Sequence, residues 1–208
     1  MKTQKLIATM TFITFGALLA SCATSALDVL TRKIDANNAT VESMDNAQEE
    51  SETFETANAV ITPLNLVQED TLTTGEKIDM VMSLRDSIRA KQVEIDETKT
   101  IIREDLVTLK AAVKQFKDLG LTLSDEEKAA VAAYGDELDG IKVELKATVG
   151  LVYKQIVELR GHYTLENLDT ILETYLTADD AMSVRVNGVT RIAAIIDEVN
   201  TLLAVRIG

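Results

Sequence analysis

An apolar side chain returns every seventh position along the middle of this chain. Val81, Ile88, Ile95, Ile102, Leu109 and Phe116 form one series, and Val131, Leu138, Leu145, Val152 and Leu159 form a second. Such a return keeps the residues on one helical stripe, whereas a half-buried strand would alternate in steps of two. The words between the series are Gly120-Leu-Thr-Leu-Ser124-Asp-Glu-Glu127. Gly120 can take the left-handed conformation that closes a helix. Ser124, with Glu127 three residues on, is a capping box for the next helix, and the acids around it suit the positive end of a helix dipole. Ile78 to Tyr163 therefore reads as two long helices folded back on each other.

The stripe is not that of a strict coiled coil. A second seam would hold Leu84, Lys91, Thr98, Asp105, Ala112 and Leu119, which is half polar, and the apolar content drifts to Ile101, Leu106 and Val113 instead. A drifting stripe suits a bundle in which each helix has more than one neighbour. Outside the hairpin, Leu27, Leu30, Ile34, Val41 and Met44 share one helical face, and Met182, Val186, Val189, Ile192, Ile196, Val199 and Leu203 share another. One proline, no tryptophan and few aromatic residues agree with an all-α chain. The fold expected is an elongated antiparallel bundle of four to five helices, over about 26–60, 75–119, 125–160, 165–176 and 178–206, forming a single domain from 22 to 208. Pro63 would stop the first helix. Thr73-Thr-Gly-Glu76 would cap the second. Gly161-His162-Tyr-Thr164 and Thr177-Ala-Asp-Asp180 read as later helix boundaries. The segment from Ile192 to Val205 is the greasiest after the leader, yet too short and too charged to span a membrane, so it reads as a buried helix.

Residues 1–21 have a different character. Lys2 and Lys5 precede an apolar run from Leu6 to Leu19, and small residues then lead to Cys22. This order of basic, apolar and small residues is that of a secretory signal peptide. Leu19-Ala20-Ser21-Cys22 resembles the lipobox of bacterial lipoproteins. The resemblance implies lipidation of the Cys22 thiol, cleavage just before it, and export to the outer face of the cell membrane or to the outer membrane, with the lipid as the membrane partner. It covers only the address label. Ala23 is not the aspartate that marks inner-membrane retention in double-membraned bacteria. Cys22 is the only cysteine, so no intramolecular disulfide can form and packing must hold the domain. Helical spacing resumes almost at once after Cys22, without a long tether, which brings the first helix close to the bilayer.

Losing residues 1–21 removes two lysines and no acid, so the formal charge of −13 becomes −15. That charge repels nucleic acid and anionic lipid alike and leaves membrane attachment to the acyl group. From Ile34 to Glu76 there is no Lys or Arg but ten acids, among them Asp35, Glu42, Glu49, Glu50 and Glu76. This run reads as a solvated acidic face, or as a surface offered to a partner.

Chemistry-bearing motifs are sparse. His162 is the only histidine, with Glu158 one turn before it, and there is no repeated Glu-x-x-His pattern of the di-iron bundles. No Gly-x-Ser-x-Gly, phosphate loop or dinucleotide fingerprint is present. Tyr134, Tyr153, Tyr163 and Tyr175 fall near apolar stripes and are expected to pack with their hydroxyls at the rim. Met80 and Met82 are expected to fill core gaps. No catalytic residue, cofactor or metal is expected. The function expected is non-catalytic: an envelope lipoprotein with a structural role, binding a protein partner or itself through the acidic bundle. The alternative is a ligand-binding or sensor module with a small-molecule pocket between its helices.

Overall fold

The capping box written at 73–76 forms as its residues demand. The Thr73 amide and hydroxyl both donate to Glu76 Oε2, at 2.7 and 2.8 Å, and the Glu76 amide reaches Thr73 Oγ1 at 3.3 Å. The helix behind it runs Thr74–Asp118. A computed structural model describes residues 26–44, 72–159 and 162–208. Among them every regular element is helical, so the chain is all-α. In chain order these are α1 (26–43, tightening at Met44), α2 (Thr74–Asp118), α3 (Asp125–Ala147), α4 (Tyr153–Glu158), a 3-10 turn (Leu165–Asn167) and α5 (Leu168–Ile207). The leader, Cys22, Pro63 and the acids between 45 and 71 lie outside the described residues.

Where one bundle was expected over 22–208, the packing divides into two units. The first takes 26–37, 101–141 and 192–208 of the described chain; the second takes 38–44, 72–100, 142–159 and 162–191.

In the first unit the hairpin closes at Gly120. The Gly120 amide bonds the Lys117 carbonyl at 2.9 Å and the Leu121 amide bonds the Phe116 carbonyl at 3.1 Å. These are the two bonds of a Schellman motif, and Gly120 meets its requirement with φ 65°. Ser124 and Glu127 then exchange the reciprocal bonds of the second capping box, at 2.6 and 3.2 Å. Ion pairs fix the direction of α1. Asp28 meets Lys117 and Asp35 meets Lys110, so α1 runs antiparallel to α2. Lys33 reaches Asp139 and the Gly135 carbonyl, and Asn37 the Leu138 carbonyl, so α1 runs parallel to α3. Arg206 holds Glu127, which sets the last turn of α5 at the end that carries the 119–124 turn. The enclosed core is almost wholly aliphatic: Leu27, Leu30, Ile34, Ile102 and Leu109 are buried with Phe116, as are Val131, Leu138, Ile196, Val199 and Leu203. Each fully buried side chain of this kind contributes about 1.5–3 kcal/mol.

In the second unit α2 and α5 run parallel, since Lys77 pairs with Asp169 and Lys91 with Asp179. Val81, Ile88 and Ile95 are buried with Leu145, Ile156, Ile171, Tyr175 and Met182.

Two helix boundaries differ from expectation. The third helix does not run on to about 160. It stops at Ala147, turns through 148–152 with Gly150 at φ 83°, and resumes as the short α4. The expected start at Thr177 is absent, and α5 passes through it unbroken. Thr177 Oγ1 bonds the Glu173 carbonyl one turn back rather than capping a new helix. Ala178 and Ala181 are buried, and Asp179 is turned to Lys91. Of the two acids that resembled a helix start, Asp179 meets a neighbouring helix and Asp180 is exposed.

Candidate functional site

The polar residues that reach the core are where chemistry could reside. Arg185 is only 4% exposed. Its Nε donates to Thr148 Oγ1 and its Nη2 to the Thr148 carbonyl, both at 2.9 Å, and Nη1 faces Met182 Sδ at 3.9 Å. Thr148 Oγ1 in turn donates to the Leu145 carbonyl at 2.7 Å. A helix that ends inside a protein leaves carbonyls without amide partners, and it concentrates partial negative charge there. Here the Thr148 carbonyl accepts from the Leu151 amide at 3.1 Å and takes a second donor from the guanidinium, whose planar fork meets the Thr148 hydroxyl at the same time. The break in the third helix is therefore held by a buried cation from α5.

Lys99 is 2% exposed and its Nζ lies 3.6 Å from Asp96 Oδ1, one turn back on a more exposed part of α2. Its stem packs in the core while its head is drawn toward the Asp96 carboxylate. Lys91 has the composition of a nucleophilic dyad, since its Nζ lies 2.8 Å from Ser183 Oγ. The geometry gives it another job. The remaining donors go to Asp179 Oδ1 at 2.7 Å and the Asp179 carbonyl at 3.2 Å, and Ser183 Oγ itself donates to that carbonyl at 3.0 Å. An ammonium with all three N–H bonds directed this way has no lone pair to take a proton from serine. The set ties α2 to α5.

Tyr175 is buried, and its hydroxyl stands 3.4 Å from that of Tyr163. Burial, then the Tyr163 hydroxyl, push the Tyr175 phenol far above the ordinary tyrosine range. It is a packing group, but its hydroxyl is buried with it rather than set at the rim as expected. Tyr153 is also buried and donates to Gln92 Oε1 at 3.0 Å. Met80 and Met82 depart from expectation: both lie on the exposed face of α2, and Val81 between them takes the core position.

His162 is exposed, and its carbonyl accepts from the Thr164 amide and from Asn167 Nδ2. Glu158, its expected neighbour, lies 4.0 Å from Lys154. Among the described residues no group of three His, Cys, Asp or Glu is placed to hold a metal ion, and no helix is long and apolar enough to cross a membrane. Of the acidic run, Asp35 pairs with Lys110 and Glu76 is engaged in its capping box, so both contribute to the fold. Outside that run, Glu127 is engaged in the same way, by the Ser124 amide and by Arg206. The Arg206 guanidinium, with help from the Ser124 amide, holds its carboxyl down to about 2.

Among the buried polar residues not singled out from the sequence are Asn37, Lys99, Thr148 and Arg185. Each had a signal. Asn37 falls three after Ile34 and four before Val41, Thr148 three after Leu145 and four before Val152, and Arg185 three after Met182 and four before Val189; Lys99 falls four after Ile95 and three before Ile102. Helical spacing alone puts them on the inward stripe.

The chain matches no protein-family model, no curated protein and no solved structure.

Proposed function

We propose that this chain is an exported lipoprotein, acylated on Cys22, whose helical units serve a structural or protein-binding role at the cell envelope. The observation that carries the reading is the order of its first residues: Lys2 and Lys5, the apolar run to Leu19, and Leu19-Ala20-Ser21-Cys22. Two features of the fold support it. The chain is helical from residue 26, so a packed element begins four residues after the acylated position. The polar groups that reach the core fasten helix to helix, as Arg185, Lys91 and Asn37 do. A single acyl chain binds a bilayer only marginally, so firm anchoring takes the two or three chains that the lipobox implies.

Metabolic labelling with a clickable palmitate analogue, followed by mass spectrometry of the mature N-terminus, tests the anchor. Label is expected on the wild-type chain and is lost in Cys22→Ala. A mature chain cut elsewhere and free of lipid sinks the reading. The interaction role is tested by crosslinking in cells and by light scattering of the purified protein. A strict monomer with no crosslinked neighbour counts against it.

A further inference from the structure

We propose that the end of the first unit carrying the 119–124 turn rests on the bilayer that holds the acyl group, with Leu119 and Val205 as contact points. The inference rests on lipidation of Cys22, and it names the surface against which the anchored protein lies. Three observations carry it.

The first is reach. From Cys22 to residue 26, where α1 is already helical, the chain can extend at most about 14 Å, whatever path it takes. That is close to one helix diameter. The anchor therefore cannot hold the start of α1 away from the lipid surface.

The second is what shares that end. Asp28 in the first turn of α1 is bonded to Lys117 in the last turn of α2, and Arg206 in the last turn of α5 is bonded to Glu127 in the first turn of α3. A helix start, the hairpin turn and the final turn of α5 are thus gathered together. Leu119 is 56% exposed there, Val205 77% and Val29 42%.

The third is charge. Over 26–32, 114–128 and 203–208 there are five cations (Arg32, Lys114, Lys117, Lys128, Arg206) and five acids (Asp28, Asp118, Asp125, Glu126, Glu127). This end is formally neutral in a chain that carries −15 after loss of its leader, so the acidic excess lies elsewhere. Several of its charges are also paired, Lys128 with Asp125 among them. A neutral end with protruding aliphatic side chains can approach lipid headgroups, whereas the acidic remainder is repelled by anionic lipid. Side chains of this kind settle at the headgroup and acyl boundary, about 5–10 Å deep.

The test uses the full-length lipidated protein. Cys22 is the only natural cysteine and its thiol is taken by the lipid, so one introduced cysteine can carry a polarity-sensitive dye. Leu119→Cys, Val205→Cys and, as an exposed position of the second unit, Val143→Cys are labelled and reconstituted in phosphatidylcholine vesicles containing nitroxide-labelled lipid. Dyes at 119 and 205 are expected to shift to the blue and to be quenched roughly twofold or more beyond the dye at 143, as interfacial depth requires. With the acyl group confirmed by mass spectrometry, water-like emission at 119 and 205 overturns this proposal and leaves the lipoprotein reading intact. Equal quenching at 143 overturns it too, because the contact would not belong to this end. So does a dye at 119 that escapes lipid quenching while the same position crosslinks to a second copy. An N-terminus without lipid removes both readings together.

Discussion

The two units bury similar aliphatic residues but treat their polar groups differently. In the first, the polar contacts gather at helix ends and surfaces: the Gly120 turn, the Ser124–Glu127 box, and the Lys110–Asp35 and Arg206–Glu127 pairs. Among its described residues Asn37 enters the interior, bonding the Lys33 and Leu138 carbonyls at 3.0 Å each, and the half-buried Asn200 reaches the Asp105 carbonyl at 3.3 Å. In the second, a helix is interrupted at 148–152, and closing that interruption takes the buried Arg185. Lys99 is buried in this unit as well. An end that reaches water can be satisfied by residues next to it in sequence. An end that stops among packed helices needs a donor from another helix, and that donor brings its charge inside.

The largest effect should follow from removing that donor. Arg185→Ala leaves the Thr148 carbonyl with the Leu151 amide alone and the Thr148 hydroxyl with only its own bond to the Leu145 carbonyl, and it opens space beneath α5. The expected cost is about 3 kcal/mol, from two lost charge-assisted hydrogen bonds plus a cavity. Arg185→Lys should recover little, because an ammonium cannot reproduce two parallel N–H bonds. Urea unfolding gives the energy, and hydrogen exchange gives the location. Amides of 142–159 should exchange faster while those of 102–118 stay protected. Equal loss of protection in both would erase the distinction between the units. Leu138→Ala is the counterpart in the first unit, with a cost of similar size from its cavity and faster exchange on the other side of the comparison.

The two glycine turns make a finer contrast. Gly120 and Gly150 both sit at positive φ, and an added Cβ would meet nothing within 4 Å at 120 and only Lys154 Cδ, at 3.9 Å, at 150. Alanine is therefore penalised by backbone conformation alone, at about 1–2 kcal/mol in each place. Thermal melts of Gly120→Ala and Gly150→Ala should fall together. A much larger loss at 150 would mean that the 148–152 turn carries more than its glycine, with the Arg185 bonds displaced as well.

How far these differences could be read in advance follows from their chemistry. Local signals were legible. Thr73 with Glu76 and Ser124 with Glu127 form the boxes their spacing announces, and the sevenfold series from Val81 to Phe116 is buried throughout, although Ile101, expected in the drifting seam beside it, is exposed. Signals that depend on another helix were not. Gly150 fell inside the helix expected over about 125–160, because nothing near it in sequence says that Arg185 waits to close the gap. Thr177-Ala-Asp-Asp180 looked like a helix start, because an acid near a threonine has the same appearance whether it meets an amide or Lys91. Met80 and Met82 looked buried by composition, although Val81 between them already held the inward position. Of the candidate site, Cys22 rests on its own tetrapeptide, and the buried Arg185 and Lys99 needed the stripe to be followed through charged residues as well as apolar ones.

The smallest effect should appear in acid. Glu127 is held near 2 by Arg206 and the Ser124 amide, against an unfolded glutamate near about 4.3. A depressed carboxyl contributes stability that is fully present above the unfolded value and is lost as pH falls from about 4.3 toward 2. Glu76, lowered by the Thr73 amide and hydroxyl, and Asp125, lowered by Lys128, slope the same way. The Glu127 pair is partly solvated, so screening reduces its share to about 1 kcal/mol. Glu127→Gln should weaken the protein at pH 7 and flatten its stability between pH 5 and pH 3, whereas Arg185→Ala should lower stability with little change in that slope. The larger acid response would then belong to the first unit, whose end is fastened by Glu127, and the smaller to Glu76 in the second, where the break itself is fastened by a guanidinium that keeps its charge throughout. Parallel curves for wild type and Glu127→Gln would show that this end stays closed without its charge, and the contrast between carboxylate and guanidinium fastening would fail.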